Sequence, residues 1–575
     1  MRISGVQRVL SAVTIALLGG TGFIVGVQGR ASRMRNKPAP KAPDPGDRMV
    51  PGAYATLDAS GGLNGLAQAI RERVPLPVEA LECAAVLESL GVTHEVAATR
   101  YGAPDAFVLA ARVHDLVRSQ SAGVPLPAEP AAIAPPTHPL LGELARGPLS
   151  LLVVVALFLA LTAYRRFGEW GEGNVLAMSV GLTGSMVIAN VFIQGAARRG
   201  AIYVSRGNPR AAFHFLLRAL LPAVACVLAV TILGALLAEH FRLLSADGAR
   251  IFAASFVFLA LLWFSSALLS IFQLQGWFAL GLAVGLLSGV LADRAVHLLT
   301  PLHLTAGTVV GLATTLLVFV HPVRRTLALP RGATAHRPLL PSSAYLLREA
   351  APYFGYGLTY VALLLTPHIL GWTGRLDGMT RMQAVSTLEV ALTLTVAPVL
   401  LAEGLAERAA RRLWPHARAV QEATPAAHRA YFGPALIRFW RGHFAAYLLV
   451  LGSLTAAGAL AVWSHGASIG RIFELAAPEV IAPLACASLA GYFFLGCGLF
   501  NCVFCVTLAR PQAAASSALV GLAVTIVLGL PLALLGHYSY ALIGFIAGAA
   551  AFAFASTLAT LRTLRSADYY YVASF

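Results

Sequence analysis

Few side chains in this sequence could do chemistry, and those few stand inside runs that are otherwise apolar. Glu389 and Glu403 share one hydrophobic stretch and are fourteen residues apart. That spacing is close to four helical turns, so on one continuous helix both carboxylates face the same side. An ionisable group at the centre of a bilayer costs about 2.5–3.5 kcal/mol on insertion scales. The pair therefore predicts a wet cavity or charged partners, with Arg375 and Arg381 available to Glu389. For Glu403, a place at the membrane boundary is the equal alternative. His368 follows Pro367 within another run. A kink there would open the imidazole to the cavity; an interfacial histidine is the alternative. The amides of Asn190, Gln194 and Asn501 can contact a sugar or bond between helices, which is the commoner role of such groups. These six residues form the candidate cavity lining.

Catalytic and metal chemistry find little support. Cys502-Val-Phe-Cys505 places two thiols on one helical face, but no histidine or second pair lies near them in sequence. With Cys83, Cys226, Cys486 and Cys497 they read as small hydrophobes. The acids of the outer loops, Glu169, Glu172, Asp247, Asp377, Glu474 and Glu479, are scattered and form no Asp-x-Asp pair. A Walker motif needs a lysine, and the chain holds only Lys37 and Lys41. The reading is a protein without catalytic residues, metal or cofactor.

The elements that hold these residues must lie in lipid. Of 575 residues, 58% are hydrophobic and 12% charged, with mean hydropathy +0.73. Soluble chains carry about 25% charged residues, so a cytosolic enzyme, a disordered regulator and a disulfide-stapled secreted module are excluded. A span needs about 20 apolar residues. Stretches free of charge at 9–29, 147–164, 173–197, 219–238, 350–374, 442–470 and 480–509 each supply one. Run 251–292 supplies two, divided at Gln273–Gly276, and run 511–561 supplies two, divided at Gly536–Ser539. Residues 295–323 and the weak stretch 383–407 complete one early span and twelve later ones.

The twelve fall into two halves of six. In each, the second span precedes a long arginine-rich loop, Arg198–Arg210 and Glu407–His443, and the sixth ends in a basic tail. Tandem copies of six spans point the same way, as in transporters built from parallel repeats. The fold class expected is an all-α membrane protein with about 12 transmembrane helices in two six-helix bundles, plus an extra N-terminal transmembrane helix and a small helical soluble segment. Its parts are an anchor at 1–29, Pro/Ala-rich linkers with a helical segment (77–119) at 30–146, a first bundle at 147–323, a connector at 324–349 and a second bundle at 350–575.

Charge sets the orientation. The net +16 is divided between Arg2 and Arg8, a neutral segment 29–146 with twelve basic and twelve acidic residues, and +14 in residues 147–575. Placing residue 146 in the cytoplasm puts 20 basic residues in inner loops and tail against 8 outside, as the positive-inside rule requires. The soluble segment and C-terminus are then cytoplasmic. A cleaved signal peptide at 1–29 is the rival reading. Within the soluble segment, helical spacing over Val78–Leu90 stops at Gly91, Thr93 caps a second helix that Gly102 stops, and Asp105 opens a third. Its zero net charge argues against nucleic acid and for docking or spacing.

Three stretches carry a family resemblance: Gly181-Leu-Thr-Gly-Ser185 with the basic stretch Arg198–Arg210, Tyr353-Phe-Gly-Tyr-Gly-Leu-Thr-Tyr360 opening the second half, and Tyr540-Ala-Leu-Ile-Gly-Phe545 through Leu564-Arg-Ser-Ala-Asp-Tyr-Tyr570 at the end. With the order and lengths of the spans, they make residues 147–575 resemble the Pel exopolysaccharide transporter family. These are inner-membrane exporters in the superfamily of multidrug, oligosaccharidyl-lipid and polysaccharide flippases. The resemblance implies a V-shaped pair of bundles moving a polysaccharide or its lipid-linked precursor outward by alternating access in a bacterial inner membrane. It implies as partners a cytoplasmic glycosyltransferase and other membrane subunits of an exopolysaccharide synthesis complex. One departure is Thr366-Pro-His-Ile-Leu-Gly-Trp372, where the family carries a charged pair before an aromatic end. An ion-coupled multidrug or small-solute antiporter of the same superfamily, and a membrane-embedded glycosyltransferase, are the alternative expectations. The topology is checked by a reporter fused after residue 120: activity confined to the cytoplasm is expected, and activity only in the periplasm overturns the orientation.

Overall fold

A computed structural model describes residues 62–121, 172–292, 314–324 and 343–568, apart from short breaks, the longest at 375–380. The expected spans at 9–29 and 147–164 lie outside the described residues. Among those described, every regular element is helical, and eight helices are long and apolar enough to cross a membrane. The chain divides into two compact units. One holds the described parts of residues 138–410 and 443–560; the other holds 62–121, 411–442 and 561–568.

The second unit opens with α1 (Gly62–Arg73), α2 (Ala80–Ser89), α3 (His94–Tyr101) and α4 (Ala106–Gln120). Local chemistry sets their ends. The Thr93 hydroxyl accepts from the Val96 N–H at 3.3 Å, and the Asp105 carboxylate accepts from the Val108 N–H at 2.7 Å. Gly91 and Gly102 stop α2 and α3 at φ +81° and +60°, where a Cβ is disfavoured. Helix α1 lies before the helical segment expected at 77–119, and its Leu66, Ala67 and Ile70 complete the core with Cys83, Leu87, Leu109, Val113 and Val117. Four helices rather than three are needed to bury that face.

In the first unit, α5 (Glu172–Ser205) packs between α6 (Pro209–His240) and α7 (Ala246–Ile271). Gly181 and Gly184 make the α5–α7 approach feasible: a Cβ on Gly181 would lie 2.9 Å from the Phe252 carbonyl oxygen, and one on Gly184 would lie 2.7 Å from the Phe256 ring. Further helical residues follow between Trp277 and Ala292, so the division of run 251–292 near Gln273 holds. The second half comprises α8 (Ser343–Thr373), α9 (Arg381–Thr395), α10 (Ala397–Ala423), α11 (Phe432–Ile472), α12 (Ile481–Thr507), α13 (Pro511–Leu535) and α14 (Ala541–Arg565). Helix α8 starts seven residues before the expected boundary at 350.

Two expectations fail. The arginine-rich stretches are not loops: α5 continues to Ser205, and α10 runs unbroken to Ala423. Alanine, arginine and leucine are strong helix formers, and ending a helix at the membrane surface would leave four carbonyls without partners. Arginine count marks where lipid ends, not where helix ends. Secondly, Glu389 and Glu403 do not share one helix, because α9 ends at Thr395 and α10 begins at Ala397. Pro398 has no N–H for the Leu394 carbonyl, and the ladder restarts with the Val399 N–H donating to the Val396 carbonyl at 3.0 Å. Four-turn periodicity cannot carry a facing direction across that break.

Helices α13 and α14 meet through glycine. A Cβ on Gly544 would fall 2.6 Å from the Gly529 nitrogen, and one on Gly548 would drive into the Thr525 side chain. Gly544→Leu is therefore expected to lower stability by about 1–3 kcal/mol, read as a reduced midpoint of thermal unfolding in detergent. A Gly442→Ala control, where a Cβ meets nothing within 4 Å, should leave that midpoint nearly unchanged.

Candidate functional site

Polar residues in the second half gather where α8, α10, α11 and α12 face one another. Glu403, on the second turn of α10, is 7% exposed. Its carboxylate interacts electrostatically with two buried phenols, Tyr360 on α8 and Tyr447 on α11. The Tyr447 hydroxyl donates to the Gly496 carbonyl of α12 at 3.2 Å, and its ring lies 4.7 Å from that of Phe500. Gly496 permits this approach: a Cβ there would stand 3.1 Å from the Tyr447 hydroxyl. One turn before Tyr360, Tyr356 stacks on it at 5.9 Å and shares a side-chain hydrogen bond with Cys502. The cluster thus joins one carboxyl, three phenols and a thiol in the packed interior of this half. The tyrosines escape a reading of the sequence because they pass as apolar members of helical faces; the spacing of four between Tyr356 and Tyr360 is the available signal.

The other candidates separate. Asn501 is fully buried on α12, and its amide donates to Thr557 at 2.8 Å and Ser556 at 3.4 Å on α14. In return the Thr560 hydroxyl donates to the Asn501 carbonyl at 3.1 Å and contacts the Cys505 sulfur at 3.4 Å. This is a ladder between helices. Asn190 and Gln194 lie one turn apart on α5 and face α8. A Cβ on Gly357 would stand 2.9 Å from the Asn190 carbonyl oxygen and 3.2 Å from the Gln194 Cγ. Phe192 and Phe354 close the same contact at 5.5 Å between ring centroids. The contact joins α5 to α8. His368 is 1% exposed, and α8 runs on through Pro367, so the imidazole is packed among side chains rather than opened by a kink. The Glu389 side chain, Arg375 and the Arg381 side chain lie outside the described residues, so the pairing expected for Glu389 does too. In the N-terminal helical segment, burial, with Glu82 adding, pushes the Cys83 thiol up to about 11, leaving it protonated and inert at neutral pH.

No family model and no curated protein matches the chain. Solved structures do. One described as the outward-facing conformation of a multidrug resistance MATE family transporter of the MOP superfamily aligns with TM-score 0.54 and 12% identity, over 74% of this chain and 96% of that one. The MATE transporter ClbM in complex with Rb+ aligns at 0.52 and 14%, over 75% and 98%. A MOP superfamily transporter from Pyrococcus furiosus, described as having a binding pocket of reversed polarity, aligns at 0.53 and 13%, over 73% and 96%. Identities this low report fold alone. That fold is the MATE-like one of about twelve transmembrane helices.

The Asn501 ladder makes a quantitative expectation. Thr557 and Ser556 already bond back to the Ala553 carbonyl of their own helix at 2.7 and 3.0 Å, so losing the amide leaves them satisfied. Asn501→Leu should cost only about 0.6–1 kcal/mol, measured as a small fall in unfolding midpoint. A loss several times larger would show that the amide does more than join two helices.

Proposed function

We propose that this chain exports a polysaccharide, or its lipid-linked precursor, outward across a bacterial inner membrane by alternating access. The observation that carries the reading is the chemistry of the buried polar groups. Among the described residues these are hydroxyls, amides, one imidazole and a single carboxylate, Glu403. A neutral hydrogen-bonding interior suits a sugar, whereas a site selecting cationic drugs needs acidic groups. The Pyrococcus neighbour supports the distinction, since its description ties reversed pocket polarity to a different function within this superfamily. The Pel-like stretches agree. Gly181 and Gly184 seat α7 on α5, and Tyr353–Tyr360 supplies the α8 face that meets α5 as well as two of the clustered phenols. A cytoplasmic glycosyltransferase and other membrane subunits would deliver the polymer.

In this mechanism the α5–α8 contact is a gate. Its surfaces are two backbones brought together at Gly357, and parting them opens a path between the halves. Glu403 supplies the coupling: a carboxyl enclosed by Tyr360 and Tyr447 can change charge only by exchanging a proton or admitting a cation. The Tyr360 phenol can donate to the carboxylate and loses that role when it is protonated, whereas the Tyr447 proton is given to the Gly496 carbonyl.

Two measurements test the reading in cells that secrete the polymer. Glu403→Gln at normal protein level should lower secretion at least about tenfold, roughly 1.4 kcal/mol in coupling; unchanged secretion removes Glu403 from the mechanism. Oxidising a Val191→Cys/Gly357→Cys pair should stop secretion, and reduction should restore it. If the wild-type chain instead lowers a sensitive strain's ethidium accumulation and polymer secretion is independent of it, the multidrug reading replaces this one.

A further inference from the structure

The inner ends of α10 and α11 leave the hydrophobic part of the chain and pair as a hairpin. Helix α11 has 41 residues, a length of about 61 Å at 1.5 Å per residue, twice the ~30 Å hydrocarbon core. Its first three turns and the last three of α10 lie in the second compact unit, beyond the charge-free stretch 443–470. The hairpin has its own seam: Leu413, Ala417 and Val420 are buried on α10, with Leu436 and Trp440 on α11. The His416 ring stacks on Phe439 at 4.5 Å. At the tip, residues 426–431 form a 3-10 turn kinked at His428, braced by Arg438, which lies 4.9 Å over the Tyr431 ring and donates to its hydroxyl. The C-terminal end of α14 lies against the hairpin beside that turn, where a Cβ on Gly433 would stand 3.0 Å from the carbonyl oxygens of Leu564 and Arg565.

Helix α4 of the N-terminal unit packs on that tip. The two segments differ in net charge, the acids of the N-terminal one lying mostly outside α4, which itself carries Arg112, Arg118 and Asp115. Residues 62–121 hold five arginines and seven acids, net −2, whereas 411–442 hold six arginines and Glu422, net +5. The neutrality of the segment 29–146 as a whole conceals this, because its basic excess lies in residues 30–48. Hairpin and site are also mechanically continuous: Arg411 is eight residues from Glu403 on unbroken α10, about 12 Å along the axis.

We propose that the tip of the α10–α11 hairpin is the docking site of this chain's own acidic N-terminal helical unit, which thereby restrains the helix carrying Glu403. Docked, the unit ties α10 to α11 and resists the movement transport requires; undocked, it frees them. The charge difference makes the association salt-sensitive, since exposed charges are screened within about 8–10 Å at ordinary ionic strength. The consequence for transport rests on the exporter reading above, but the contact itself does not.

The test uses the full chain with Cys226 and Cys486 changed to Ser, the other four cysteines being buried. Ala430→Cys on the tip is combined in turn with Ala111→Cys, Asp115→Cys and Ser119→Cys, all exposed positions of α4, and treated with a short bis-maleimide. At least one pair should join, with yield falling by half or more in 1 M salt. Joining should slow polymer export at least about fivefold, the low end of ordinary coupling between sites. The control pair Asn64→Cys/Gln120→Cys, whose native side chains hydrogen-bond at 2.7 Å, reports that the unit is folded. If the control joins and no tip pair does, docking is refuted. If tip pairs join and export is unaltered, restraint is refuted. Absence of export in the unlinked protein would count against the exporter reading alone, because the cross-link and its salt dependence are read without it.

Discussion

Water is missing around most of this chain, and the helices have no other source of hydrogen-bond partners. In lipid every backbone N–H and C=O must be satisfied within its own segment, which fixes the secondary structure before any side chain is considered. It also explains why the packing rests on glycine. Apolar side chains gain little by leaving lipid for one another, so helices associate where backbones approach closely. Gly544 against Gly529, Gly357 against Asn190 and Gly181 against Phe252 are three versions of that solution. The middle one joins α5 to α8, the contact that opens in the proposed transport cycle.

The same constraint decides what each polar side chain is for. Asn501 meets Thr557, Ser556 and Thr560 within one set of neighbouring helices, and the arrangement is nearly self-sufficient. Most buried hydroxyls need less still: Thr231, Thr395, Ser488 and Thr525 bond back to carbonyls one turn earlier. Glu403 differs in kind, because a carboxylate can be charged and its neighbours Tyr360 and Tyr447 come from two other helices. Its surroundings hold only while α8, α10 and α11 keep their relative positions. A residue with that dependence senses movement; a residue like Asn501 resists it.

The sequence reveals most where one residue acts through local geometry. Thr93, Gly102 and Asp105 cap and stop helices as their chemistry requires, and Gly536–Ser539 divides two spans as expected. It misleads where a single signal stands for two physical facts. The arginines after residues 197 and 407 mark the end of lipid but not of the helix, so α5 and α10 extend past them. Periodicity places Glu389 with Glu403 only on the assumption of one helix, and the proline two residues beyond Val396 breaks it. The tyrosine cluster is illegible for another reason. Tyr356 and Tyr360 share α8, but Glu403, Tyr447 and Cys502 come from three other helices, and nothing in the pattern of one helix encodes which face its neighbour presents.

The arginine excess acquires a second meaning from the extended helices. Were residues 407–443 a flexible loop, their charge would serve only to hold that end of the chain on one side of the membrane. As helix it becomes an addressable surface, because the hairpin tip and Glu403 share α10, which runs on through Pro415 with one backbone hydrogen bond missing. The first half has a related extension, α5 reaching Ser205 before α6 begins at Pro209, but its charge-free span is followed by a much shorter overhang. The hairpin is therefore the longer of the two extensions, and helix α4 of the N-terminal segment is packed on its tip. On the proposed restraint, this placement gives a physical reason for the chain to carry a small helical unit with no chemistry of its own: it sits where a change in docking is converted into a change in helix position.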